Sequence, residues 1–294
     1  VRNKIVVGTR GSKLALIQTN EVISQLQSIY SEIRFDIRII KTKGDVLHDV
    51  NLAKIGSKGV FVKEIEELLL SKDIDIAVHS LKDMPVVLPQ GLKIGAVCKR
   101  IEPRDAFVSK TGKKIDEIPE GAVIGTSSPR RKLQIKQFRP ELNVVELRGN
   151  LDTRIKKLAA QDIDGIIVAC AGMYRMGLAD KVTQVLPVEL FLPSAGQGAL
   201  AVEVRSTDND ICELINKIEH VPSRITTTAE RAFLKTIGVG CSYPVGVYAS
   251  ISDNTLMIKC MVAEHRLQIE GDIEKAEELG AQLGMQMLQY VRRI

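Results

Sequence analysis

The sequence contains no tryptophan, and Phe and Tyr make up only 4% of its 294 residues. A surface that stacks nucleobases is therefore not expected. The charge agrees: 41 Lys and Arg against 36 Asp and Glu leave +5, modest beside the basic bias of a chain coated in nucleic acid. No apolar run approaches the roughly 18 residues that a membrane-spanning helix needs. Val1–Thr9 has neither the basic start nor the long apolar centre of a signal peptide, so a cytoplasmic, membrane-free protein is expected. The five cysteines (Cys98, Cys170, Cys212, Cys241, Cys260) include no C-x-x-C pair, and the four histidines no H-x-x-x-H. Neither a disulfide framework nor a metal site is expected.

What is present is a balanced globular composition, 45% hydrophobic and 26% charged, long enough for two or three domains. Strand and helix patterns alternate from the N-terminus. Lys4–Val7, Phe35–Ile39, Ile74–Val78, Lys93–Val97 and Ala106–Val108 read as strands, with helices between Leu14 and Ile29 and over Val60–Leu70. The pattern restarts with strands at Ala122–Ile124, Val144–Leu147 and Gly165–Ala169 and a helix over Leu151–Ala160. Two such stretches predict two α/β domains with mainly parallel sheets. The strand Gly198–Val204 is a candidate to return to the first of them. After Pro222 a long helix, three strands and a final helix predict a small α+β domain. The expected division is 1–98 with 198–217, 99–197, and 218–294.

Five stretches concentrate chemistry. Gly8-Thr9-Arg10-Gly11-Ser12 is a strand-to-helix turn, where a helix N-terminus and a guanidinium favour an anion. The loop 43–59 is rich in Gly and Lys and carries Lys54 and Lys58; it reads either as a lid or as a solvated connection. Lys82 and Asp83 follow a buried strand, at the edge where α/β domains place ligands. Asp83 reads either as half of an ion pair or as an acid–base carboxylate. His79 is expected to be a hydrogen-bonded strand-end residue. Thr126, Ser128, Arg130 and Arg131 repeat the turn chemistry, and Arg148, Arg154 and Arg175 follow. Between Gly125 and Arg175 there are ten basic and five acidic residues. Arginines at strand ends and helix starts suit an anion cleft between two domains, for a ligand with several carboxylates. Finally, Cys241 lies in Gly238-Val-Gly-Cys-Ser-Tyr-Pro244, unlike the other four cysteines, which sit in apolar or amphipathic surroundings. It reads either as an idle loop thiol or as a nucleophile or covalent anchor.

Taken together, G-T-R-G-S-K-L-A-L, K-G-D, L-A-K-I-G-S-K-G-V-F-V-K-E, D-I-A-V-H-S-L-K-D-M-P, G-T-S-S-P-R-R, L-R-G-N-L-D-T-R, P-S-A-G-Q-G-A-L-A-V-E and G-C-S-Y-P-V-G closely resemble the porphobilinogen deaminase (hydroxymethylbilane synthase) family. The motifs occur in the family's order over most of residues 5–250. The resemblance implies two domains like periplasmic binding proteins with a cleft between them, plus a third domain bearing the cysteine. It implies a dipyrromethane cofactor joined by a thioether to Cys241, and head-to-tail joining of four porphobilinogen molecules with release of ammonia. The linear tetrapyrrole hydroxymethylbilane is then hydrolysed off, a step of porphyrin and heme biosynthesis. By resemblance Asp83 is catalytic. Arg10, Ser12, Lys82, Thr126, Ser128, Arg130, Arg131, Arg148, Arg154 and Arg175 bind cofactor and substrate, and Lys54 and Lys58 lie on a lid. A monomer without metal, membrane or nucleic-acid partner is expected. Val239 departs from the family pattern, two positions before the cysteine. A non-catalytic solute receptor would account for the arginines but gives Asp83 and Cys241 no task.

Overall fold

Residues 2–42, 62–238 and 243–291 are described by a computed structural model. They fall into two units, Val1–Ile101 with Ala199–Ile225, and Glu102–Gly198 with Thr226–Ile294. Lys54, Lys58 and Cys241 lie outside the described residues.

The first unit is built on strands β1 (Lys4–Arg10), β2 (Arg34–Ile40), β3 (Ile76–Ser80), β4 (Leu92–Val97) and β10 (Leu200–Arg205), in the order β2-β1-β3-β10-β4. β1 is parallel to β2 and β3, whereas β10 is antiparallel to β3 and β4. Alternation along β1 and β3 puts Ile5, Val7, Ile76 and Val78 on one face, with Val202 and Val204 of β10. They pack against Val22, Ile23 and Leu26 of helix α1 (Lys13–Gln27) and Ile211 and Ile215 of α6 (Asn209–Asn216). The opposite face holds Ala77 and Leu92 against Ile65 and Leu69 of α2 (Lys63–Leu70). Each aliphatic side chain so buried contributes about 1.5–3 kcal/mol.

The second unit repeats this arrangement with β5 (Asp105–Ser109), β6 (Val123–Gly125), β7 (Asn143–Val145), β8 (Gly165–Ala169) and β9 (Gln184–Val185), in the order β7-β6-β8-β5-β9. β6 is parallel to β7 and β8, and β5 runs antiparallel to β8 and β9. Each sheet is thus four strands running one way with a single antiparallel strand, β10 or β5, inserted between two of them. The sheets are mainly parallel, as expected; the one reversed strand in each was not foreseen, because an apolar run reports burial and not direction. Helices α3 (Pro129–Phe138), α4 (Leu151–Ala160) and the short α5 (Cys170–Arg175) follow β6, β7 and β8.

The C-terminal part of the second unit is an antiparallel meander of β11 (Val245–Ser252), β12 (Thr255–Val262) and β13 (His265–Asp272). Asp253 and Asn254, both left-handed at φ 47° and 60°, close the first hairpin in two residues. Helices α7 (Val221–Ile237) and α8 (Ala276–Val291) approach closely at two glycines. A Cβ on Gly280 would lie 2.1 Å from the Ala229 carbonyl oxygen, and one on Gly284 2.7 Å from Thr236 Cβ.

Candidate functional site

In the first unit, parallel pairing brings the carboxyl ends of β1 and β3 to one edge of the sheet. β1 delivers Thr9 and Arg10 there, and Ser12 caps α1: its hydroxyl oxygen accepts the Ala15 N–H at 3.2 Å. Gly8 permits the close packing beneath, since a Cβ would meet Ile74 Cδ1 at 2.3 Å. β3 ends at Ser80, which accepts from Gln18 Nε2 of α1 at 2.9 Å. The next three residues, Leu81–Asp83, form one 3₁₀ turn, held by Leu81 N–H on the Ala199 carbonyl at 3.0 Å. In this turn Leu81 is buried, Lys82 half-buried and Asp83 exposed. The edge therefore presents a helix N-terminus, two cationic side chains and one solvated carboxylate.

Behind that edge lies a buried polar cluster. His79 Nε2 is 3.0 Å from Glu203 Oε2 of β10. Glu203 Oε1 and Glu66 Oε1 of α2 are buried without a hydrogen-bond partner among the described residues. Burial, then the charge of Glu203, pushes the Glu66 carboxyl up to about 7, with His79 opposing.

In the second unit the carboxyl ends of β6, β7 and β8 share an edge in the same way. After β6, Thr126 is buried and its hydroxyl oxygen accepts the Ser128 N–H at 3.2 Å. Ser128 caps α3, with Pro129 at the first helical position. Arg130 and Arg131 are 3% and 6% exposed, so they turn inward rather than to solvent. Both meet Asp105, the first residue of β5: Arg130 Nη1 at 2.8 Å and Arg131 Nη2 at 2.7 Å. Gln197 Nε2 donates to the same carboxylate at 2.9 Å. Burial would raise the Asp105 pKa, but the two guanidinium charges and their hydrogen bonds outweigh it and hold the group well below the ordinary carboxylate range. After β7, Arg148 pairs with Glu146, and Arg154 Nε donates to the Gly149 carbonyl at 2.9 Å. Gly149 is left-handed at φ 115°, a conformation that favours glycine. After β8, Arg175 Nη1 donates to the Gly198 carbonyl at 3.2 Å.

The expected site residues that are described thus lie at two sheet edges, one in each unit. Sequence reasoning missed Asp105, Gln197, Glu203 and Glu66. The signal for Asp105 and Glu203 was a lone acid in an otherwise apolar strand, which requires a partner when buried. The four described cysteines are thiols; Cys98, Cys170 and Cys260 are buried. Burial pushes the Cys260 thiol up to about 12, leaving it an inert packing group. No helix among the described residues is long and apolar enough to cross a membrane, and no metal-holding cluster of three or more His, Cys, Asp or Glu occurs among them.

A family model described as porphobilinogen deaminase, dipyromethane cofactor binding domain, matches residues 5–213, and one for the porphobilinogen deaminase C-terminal domain matches 224–289. The chain is 49% identical to a porphobilinogen deaminase of Carboxydothermus hydrogenoformans, covering 98% of this chain and 94% of that one. It is 47% identical to that of Desulforamulus reducens, covering 98% and 95%. Among solved structures, the methionine binding protein MetQ is similar with a TM-score of 0.45 at 16% identity, over 74% of this chain and 88% of that one. With both family models matched in sequence order and near-half identity along almost its whole length, the chain belongs to the porphobilinogen deaminase family.

Proposed function

We propose that this chain is a porphobilinogen deaminase: it joins four porphobilinogen molecules head to tail, releasing one ammonia for each, and hydrolyses off hydroxymethylbilane. The observation that carries the reading is the arginine pair opening α3. Two buried guanidiniums share one buried carboxylate, leaving one positive charge in excess. Arg130 Nε and Arg131 Nε are buried without a hydrogen-bond partner among the described residues. Such donors suit a ligand carboxylate, and each porphobilinogen ring carries two.

A dipyrromethane cofactor fits this donor set. Thr126, Ser128, Arg130, Arg131, Arg148, Arg154 and Arg175 would hold its acetate and propionate groups, with Arg10, Ser12 and Lys82 serving the substrate's. The attachment is a thioether at Cys241, and when bound the cofactor supplies the pyrrole carbon to which the first substrate ring is joined. Asp83 does the chemistry of the chain itself. Its carboxylate stabilises the cation left on the substrate's methylene carbon as ammonia departs, and it hands a proton to the leaving amine. Exposure of Asp83 beside the half-buried Lys82 supports that role, since a carboxylate locked in an ion pair could not exchange protons with each incoming ring.

The chain works as a cytoplasmic monomer without nucleic acid, divided into 1–98 with 198–217, 99–197 and 218–294. The thiol state of the described cysteines is in keeping with a reducing compartment. Intact mass tests the reading. The purified protein is expected to weigh one two-pyrrole increment more than its polypeptide, and Cys241→Ser to lack it. A wild-type chain without the increment that releases no ammonia from porphobilinogen overturns the proposal.

A further inference from the structure

The structure assigns Asp105 a positioning role: it clamps Arg130 and Arg131 so that the pair presents donors for one ligand carboxylate. This rests on the carboxylate-binding role proposed above for the two arginines. Asp105 is fully buried, and its own position is fixed from several sides. Its backbone pairs with Ala169 across β5 and β8, and its carbonyl accepts the Leu186 N–H at 2.8 Å. Gln197, which bonds the Pro103 carbonyl at 2.8 Å, holds the carboxylate from a further side.

From this anchor each guanidinium is tied at two points. Arg130 Nη1 bridges Asp105 and the Leu192 carbonyl, and Leu192 is itself gripped through both backbone groups by Gln134. Arg131 reaches Asp105 through Nη2 and the Ile167 carbonyl through Nη1 at 3.1 Å. Two fixed points on a planar group set its orientation. What remains is the Nε–Nη2 edge of Arg130 and the Nε of Arg131, with no hydrogen-bond partner among the described residues. The charge count sets the capacity: two cations and one anion leave room for one carboxylate at neutrality. Without Asp105 the two like charges repel, and the donors lose both their spacing and their plane.

The test compares loading with folding. Asp105→Asn and wild type are expressed in a host that makes no porphobilinogen, purified as folded protein without the increment, judged by circular dichroism, and then incubated with porphobilinogen. Intact mass then gives the fraction carrying the two-pyrrole increment. Phe107→Ala serves as the control: it removes a fully buried side chain two residues along the same strand, so it weakens folding without touching the clamp. The expected result is loading at least tenfold slower in folded Asp105→Asn and near wild type in folded Phe107→Ala. If Asp105→Asn does not fold, Asp105→Glu, which keeps the charge but displaces it by one methylene, is expected to show the same slowing. Equal loading in the Asp105 variant and wild type, or equally poor loading in the control, overturns the inference. A wild type that never acquires the increment overturns the proposed function instead.

Discussion

Glu66→Gln should make the protein more stable at alkaline pH and remove part of its pH dependence. Glu66 is 6% exposed, one of its oxygens has no hydrogen-bond partner among the described residues, and Glu203 raises its pKa further. Its folded pKa of about 7 stands above the ordinary glutamate value of 4.5. Between those two values the folded chain holds a proton that the unfolded chain has released, so stability falls as pH rises. The contribution is fully present below about pH 4.5 and is lost as pH climbs through about 7. A gap of that size corresponds to about 3 kcal/mol. Gln copies the shape of the protonated acid and cannot ionise, so the stability difference between variant and wild type should grow by that amount from pH 5 to pH 8.

Taking the difference cancels the carboxylates common to both proteins, including Asp36 and Asp73, whose pKa values are lowered by side-chain hydrogen bonds. Urea unfolding followed by circular dichroism reads the effect. With a slope of about 2 kcal/mol per molar, the gap between midpoints should widen by roughly 1.5 M over that range. Parallel curves for the two proteins from pH 5 to pH 8 would show that Glu66 ionises normally in the folded state, and the reasoning would fail.

Two further outcomes are expected. Asp83→Asn should retain the two-pyrrole mass increment yet lose nearly all ammonia release; near-normal release would remove Asp83 from the chemistry. Gly280→Ala places a methyl 2.1 Å from a backbone oxygen of the facing helix, so the helices must separate at a cost of about 1–3 kcal/mol. A thermal midpoint within a degree of wild type would mean that the helix contact gives way freely.

Much of this architecture was legible because local signals agreed. The helix Leu151–Ala160 and the strand Gly165–Ala169 stand where periodicity put them, and Ser128-Pro129 opens a helix as cap chemistry requires. The reversed direction of β5 and β10 was not legible, and neither was the two-residue strand Gln184–Val185, too short to show a period. The Gly280 and Gly284 pair was passed over because a glycine in a helix pattern reads as a weakness until its neighbour is known. Of the site, the arginines, serines and Asp83 were visible as motifs. Their buried partners were not, because those pairings span the chain: Asp105 meets Arg130 across 25 residues and Gln197 across 92.

Two of the missed residues, Glu203 and Asp105, nonetheless obey one rule, and it holds in both units. In each sheet the antiparallel inserted strand carries a buried acid, Glu203 on β10 and Asp105 on β5. Each acid meets a basic side chain near the carboxyl end of a parallel strand: Glu203 meets His79 on the adjacent β3, and Asp105 meets Arg130 and Arg131, which follow β6, two strands away. An ionised carboxylate in an apolar strand is too costly to leave alone, so its presence implies a cation within hydrogen-bonding reach. In the second unit β8 lies between β6 and β5, so the arginines reach Asp105 past β8, where Arg131 also bonds the Ile167 carbonyl. A lone Asp or Glu in an apolar run is thus a pointer to a buried basic partner, and for Asp105 that partner is the arginine pair proposed to bind a ligand carboxylate. For Arg130 and Arg131 the partner cancels only half the charge, and the unbalanced half is what an anionic substrate can use.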